Sequence, residues 1–279
     1  MQNVYYIDSN FIKENSFQYI LSIRYATDGL SFCIHEENDR LLAFFHQPLT
    51  ADTPELLRQQ ILHIISGNYL LKLNYRQVYL LNCQPGKLLV PASSFQEATC
   101  ADFYRMCIRT AGSDTFTWYR MDTPDSYLME HHSPRLVTFL EERYPGVKII
   151  NSAAPFIRSS LAQASFNAPY FFIDIHPHYF DLLLTQSNSI RLFNTFSYST
   201  YTDIIYYLLN CLQQQGTDRA ELQTVISGNH VGDKDLLSLL NRYVSEVTVL
   251  DNEPLARLLK DRQLEPSVFL HLLNIHKCV

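Results

Sequence analysis

Slid against itself by 150 positions, the chain meets its own pattern. Leu21-Ser-Ile-Arg24 falls on Phe171-Phe-Ile-Asp174, and Leu30 to Ile34 falls on Phe180 to Leu184. In the first copy, Tyr19 to Tyr25, Leu30 to His35 and Arg40 to Gln47 read as three strands joined by tight turns at Ala26-Thr-Asp-Gly29 and Glu36-Glu-Asn-Asp39. A helix follows, with Asp52 or Thr53 as its cap, Pro54 at its first position, and Leu56, Leu57, Ile61, Ile64 and Ile65 on one face. Gln77 to Asn82 is then a short strand of the buried kind. The second copy repeats this order with strands Tyr170 to His176, Tyr179 to Thr185 and Ile190 to Ser199, a helix from Tyr201 to Gln215 ended by Gly216, and a strand from Glu221 to Ser227. A unit of three hairpin-linked strands, a helix and a fourth strand, present twice, predicts an α/β chain of two similar lobes.

The segments between and after the copies supply further elements. Lys87 to Pro91, Thr115 to Met121, Tyr127 to His131, Val147 to Ile150 and Glu246 to Leu250 read as strands. Ser94 to Met106, Ser133 to Arg143, Ser152 to Ala164, Asp233 to Tyr243 and Pro254 to Lys260 read as helices, while Ser267 to Ile275 stays open between strand and helix because a short apolar run has no decisive period. The division expected is a lead-in over 1–16, a first lobe over 17–165 and a second over 166–279.

With 47% hydrophobic residues in 279, the chain can bury a large core. A net charge of −6 from dispersed residues argues against nucleic acid as a partner. Six unpaired-looking cysteines, the absence of a leader pattern at Met1 to Asp8 and the absence of an apolar run of about 18 residues predict a cytoplasmic protein that does not insert in a membrane.

A duplicated unit of this order resembles the ribonuclease-H-like lobe that is doubled in actin, Hsp70 and sugar kinases. More closely, Leu21 to Tyr25 with Phe32, Leu89-Val-Pro91, Asp174 with Phe193 to Ser199, Tyr206 to Leu209 and Ile226-Ser-Gly228 resemble the DUF3822 family of Bacteroidetes, itself similar to the actin-like ATPases and to pilus-assembly proteins such as PilM. The resemblance implies a duplicated actin-like fold and brings no family activity with it.

In active members of that wider group, the resemblance implies, each lobe supplies an Asp-x-Gly hairpin for phosphates and metal, and a glycine pair lets the second lobe approach adenosine. Here Arg24 stands where the first acid belongs, and an Arg cannot ligate Mg²⁺. Asp174 keeps the second acid, yet His176, Pro177 and His178 follow it, and Pro177 has no N–H. Ile226-Ser-Gly-Asn-His230 has one glycine where two are expected. These departures predict no catalytic residues and no cofactor, with ATP and Mg²⁺ as the alternative and Asp174, Ser227 and Gly228 as remnants of a nucleotide site.

Asp174 could equally cap a turn or pair with Arg24, and Gly228 could serve a tight turn. A metal held by His176 and His178 with Asp174 or Asp181 lacks a third ligand fixed by spacing, and the adjacent residues of Glu130-His-His132 would point to opposite faces of a strand. The function expected is a non-catalytic scaffold binding an unknown protein partner at a cleft lined by Arg24, Thr27, Asp28, Asp174, His176, His178, Ser227 and Asn229. The opposing expectation is that these residues only pair with one another and hold the lobes together.

Overall fold

The computed structural model describes residues 4–49, 53–109, 115–187, 189–250, 255, 259 and 264–275. Strands β2 (Ile20–Ala26), β3 (Gly29–His35) and β4 (Leu41–Pro48) form an antiparallel meander; helix α1 (Pro54–Gly67) then returns the chain so that β5 (Gln77–Cys83) lies parallel to β2. The second copy repeats this with β10 (Tyr170–Ile175), β11 (Tyr179–Gln186), β12 (Ser189–Ser197), α5 (Tyr201–Gln215) and β13 (Gln223–Gly228), again parallel to the first strand of its unit. Two separate sheets result. Their strand orders are β1-β4-β3-β2-β5-β9 and β12-β11-β10-β13-β14, the same order in both lobes apart from the added edge strand β1 (Val4–Ile7). The outer strands β9 (Lys148–Asn151) and β14 (Glu246–Val249) are parallel to β5 and β13.

The helix signals act as the sequence predicts. Thr53 Oγ1 accepts the Leu56 N–H at 3.2 Å with Pro54 at the first helical position, and Asp203 reaches back to the Thr200 N–H at 2.8 Å while Gly216 closes α5 in the left-handed region. Each sheet buries both faces, which is why its central strands read as nearly unbroken apolar runs. In lobe I one face holds Leu21, Ile23, Phe32 and Ile34 against Ile61 and Ile65 of α1 and Leu140 of α3 (Pro134–Arg143). In lobe II one face holds Phe171, Ile173, Phe180 and Leu182 against Ile204 and Leu208 of α5 and Leu236 of α6 (Lys234–Leu240). A third cluster, with Leu81, Cys83, Phe172, Leu183 and Val225, joins the other faces through Phe156 and Ile157 of α4 (Ala153–Gln163).

Several expectations need correction. Val4–Ile7, assigned to a lead-in, is β1, paired antiparallel with β4. The helix expected from Ser94 to Met106 is a 3₁₀ turn at Ala92–Ser94 and, after Phe95 turns out to stack on Tyr127, a helix α2 over Cys100–Cys107 only. The latter packs on a small sheet of β6 (Leu88–Pro91), β8 (Ser126–His132) and β7 (Thr115–Met121). Leu56, placed on the apolar face of α1, is exposed. Of Pro254 to Lys260, only Leu255 and Leu259 lie within the described residues; both are helical and buried. The open segment resolves as a 3₁₀ turn at Pro266–Phe269 leading into a helical turn, α7 (Leu270–Asn274).

Candidate functional site at the meeting of the lobes

Register aligns the polar residues of lobe II in one transverse row. Thr195, Asp181, Asp174 and Ser227 stand opposite one another on β12, β11, β10 and β13, and all face lobe I. Two carboxylates directly across an antiparallel pair repel. Here each is compensated: Ser227 Oγ donates to Asp174 Oδ1 at 2.8 Å, Thr195 Oγ1 donates to Asp181 Oδ1 at 2.6 Å, and Lys87 Nζ, arriving from lobe I, sits on Asp181 Oδ2. His271 Nε2 of α7 lies 3.0 Å from Asp174 Oδ2. His176 Nε2 lies 3.1 Å from Asp174 Oδ2 and 3.5 Å from Asp181 Oδ2, without the alignment of a hydrogen bond to either.

Lobe I carries the matching row. Arg24 and Ser31 are the 150-shifted counterparts of Asp174 and Asp181, and His46 completes the row with Ser31 Oγ 2.9 Å from its Nδ1. Arg24 does not reach Asp174. Its guanidinium grips both oxygens of Asp28 in its own hairpin at 2.9 and 3.1 Å, so of the two expectations for Asp174 the pairing is observed with different partners.

The electrostatics follow from burial and from these neighbours. Burial alone would raise the Asp174 carboxyl, but the imidazoles of His271 and His176 outweigh it and hold the acid well below its ordinary range. Burial would likewise raise Asp181, and the Lys87 ammonium with His176 brings it down. His176 moves upward, because burial is overcome by the two carboxylates it lies between. Glu130 is pushed up to about 8 by burial, against the opposing pull of the Asn82 hydrogen bond and of Lys87, and so stays neutral at pH 7. His46 is lowered to about 4 by burial. The buried cluster therefore balances: Asp174 and Asp181 against Lys87 and a ring, His176, biased toward its protonated form.

The C-terminal segment fills the space between the rows. The Phe269 ring lies 5.8 Å from the Arg24 guanidinium and packs edge-on against Phe44 and His46 at 5.0 and 5.2 Å. Ser267 Oγ accepts the Gly228 N–H at 2.9 Å and donates to the Leu250 carbonyl at 2.9 Å. Glu265 accepts the amides of His230 and Gly232. The lobes are also joined directly, by Tyr179 Oη donating to the Cys83 carbonyl at 2.9 Å.

Of the residues expected to line an open cleft, Arg24, Asp174, His176 and Ser227 are brought together but are buried, Thr27, Asp28 and Asn229 are half-buried, and His178 is exposed. Gly228 has a local reason to be glycine: with φ near +91°, a Cβ there would lie 2.1 Å from the Ile175 carbonyl. Sequence reasoning missed Lys87, Thr195, Phe269 and His271. The register of the hairpin carries a signal for Thr195; the other three lie far off in the chain and carry none.

The groups that could meet a nucleotide and its Mg²⁺ are engaged within the chain. The Gly228 amide is taken by Ser267, Arg24 by Asp28, and the face of Asp174 by two imidazoles. The ligand atoms of Asp174, His176 and Asp181 do lie within 4.8 Å of one another, as a metal site requires, but Lys87 already supplies the cation on Asp181. Glu130, His131 and His132 do not converge: Glu130 accepts from Asn82 at 2.6 Å, and His131 faces Tyr104 at 2.7 Å.

The model of a family described as a protein of unknown function, DUF3822, matches residues 8–247. The chain belongs to this family. Among solved structures, one neighbour in shape is a Bacteroides thetaiotaomicron protein described as having an actin-like ATPase fold and unknown function: 20% identical, covering 90% of this chain and 98% of its own, with a TM-score of 0.81. The PilM-PilN type IV pilus biogenesis complex is similar at 12% identity over 91% of this chain and 96% of that one, with a TM-score of 0.56. At these identities the likeness shows the fold, which is actin-like. No curated protein matches the chain in sequence. No helix among the described residues is long and apolar enough to cross a membrane.

Proposed function

We propose that the protein is a non-catalytic, cytoplasmic actin-like scaffold that works through a protein partner. One observation carries this: the hairpin positions from which phosphate and metal would be held are engaged by the chain itself, through Phe269, His271, Ser267 and Lys87. Phosphoryl transfer depends on donors and cations aimed at the phosphate before the reaction begins, and groups already paired to one another cannot supply them. The solved PilM-PilN complex supports the other half of the reading, since there a protein of this fold is held with a partner. In the closed form a partner reaches His178 and the half-buried Thr27, Asp28 and Asn229; Arg24, Asp174, His176 and Ser227 become available only if the C-terminal segment leaves. Against the alternative, a nucleotide binder with weak or no hydrolysis, stands the local steric reason for Gly228, whose Cβ would meet the Ile175 carbonyl.

The test is the melting temperature with and without Mg-ATP, together with ATP turnover beside an Asp174→Ala control. A ligand at 100 times its Kd would stabilise by about 2.7 kcal/mol. The expected result is no shift and equal turnover. A metal-dependent rate abolished by Asp174→Ala would establish the nucleotide reading instead.

A further inference from the structure

We infer that the space between the lobes is a peptide-binding site that the chain fills with its own residues 265–272, and that the partner is a protein segment of the same chemistry: an acid, a hydroxyl two positions on, then an aromatic ring and a histidine at further steps of two. This rests on the partner-binding reading and names its site.

The segment differs from the rest of the interior in how it is held. Among the described residues its backbone joins neither sheet; its attachment runs through side chains. Glu265 accepts the two amides of the turn after β13, the Ser267 hydroxyl bridges the Gly228 amide and the Leu250 carbonyl, Phe269 fills the slot of Arg24, Phe44 and His46, and the His271 imidazole meets Asp174. Its helix, α7, is five residues long, too short to hold its shape unaided. Phe269 and Leu272 also pack in an apolar cluster with Val4, Cys33 and Phe44, so the segment is held by packing and side-chain bonds rather than by sheet pairing, an attachment that can open without disrupting either sheet. Each position on the lobes is also selective. The Gly228 and Leu250 backbone groups demand a group that both accepts and donates, the slot demands a flat apolar ring under a guanidinium, and a buried ionised carboxylate demands a proton donor. A second chain bringing the same groups in the same order would satisfy all of them, and the free segment would then be displaced.

Two measurements test this. In native-state hydrogen exchange on the unaltered full chain, amides of 266–275 are expected to exchange at least tenfold faster than those of β10 and β13. Equal rates would mean that the segment leaves only when the molecule unfolds, and would overturn the inference. Second, a labelled peptide of residues 264–275 is added to the full-length Phe269→Ala variant, whose folding is checked by a cooperative melt. Saturable binding is expected, at least tenfold weaker when the peptide's histidine is replaced by alanine and far weaker to the unaltered chain, whose site is filled. Failure of the folded variant to bind, or equal binding by the unaltered chain, would overturn it; should the variant not fold, the exchange measurement decides. Either failure leaves the scaffold reading to its own test with Mg-ATP, because a partner could still dock on the outer surface.

Discussion

Replacing Lys87 with Met keeps most of the side-chain stem and removes one charge from the buried cluster. Lys87 and Asp181 are each about 1% exposed and belong to different lobes, 94 positions apart. After the change Asp181 retains the Thr195 hydroxyl at 2.6 Å and the His176 ring at 3.5 Å, but it faces Asp174 across the strand pair without its cation. Breaking a buried pair by removing one partner costs about 3–5 kcal/mol, since the other charge stays buried and uncompensated. At about 2–4 °C per kcal/mol for large domains, the melting temperature should fall by roughly 6–20 °C. The assay is urea denaturation followed by far-UV circular dichroism on Lys87→Met, Asp181→Asn and the double variant. The double variant should lose less than the sum of the singles, by about 0.5–3 kcal/mol, because the second change removes the orphaned charge. A Lys87→Met variant within about 1 kcal/mol of the parent, or strict additivity, would refute the charge balance argued for the cluster.

Stability should fall as pH rises from about 5 to about 8, the interval between the ordinary and the folded-state values of Glu130. The folded-state pKa values of Glu130, about 8, and of His176 both lie above their ordinary values, so the folded chain holds protons the unfolded chain has released. Glu130→Gln should flatten that slope in denaturation measured across pH, and an unchanged slope would count against a neutral Glu130. At the acid end, stability should drop below the ordinary Asp range as the lowered Asp174 and Asp181 take up protons. Gly228→Ala should prevent folding or sharply lower the melting temperature through its clash with the Ile175 carbonyl, whereas Gly67→Ala, with open space around it, should stabilise by about 0.4–1 kcal/mol; similar melting temperatures for the two would refute the steric argument. ATP should leave both the melting temperature and the Asp174→Ala comparison unchanged.

The strand order of both lobes was legible because it rests on local signals: tight turns, apolar runs and helix caps such as Thr53. Arg24 and Asp174 could be placed in equivalent hairpins by the 150-residue shift alone, and the hairpin register sets Asp181 across from Asp174. What the sequence hid is non-local. Nothing around Lys87 marks it as the partner of Asp181, and nothing in the apolar run from Val268 to Leu273 says that its one histidine meets an acid in another element. Strand β1 was hidden for a related reason: a four-residue edge strand has too short a pattern to stand out among Asn, Ser and Lys. The expected cleft failed in its openness, because the residues that occupy it come from a stretch whose period decided neither helix nor strand.

The order in which these groups leave the ribosome gives the His271–Asp174 bond a further consequence. The two residues are 97 positions apart, and at synthesis rates of about 5–20 residues per second Asp174 waits roughly 5–20 s for its partner. The remaining strands of lobe II, β11 to β14, are themselves made within that interval, so only in its last part does the nascent molecule carry a complete acidic row uncovered beside the slot for Phe269. On the inference that 265–272 occupies a peptide site, a partner segment present at that moment would meet no competitor, and capture during translation is the expected outcome.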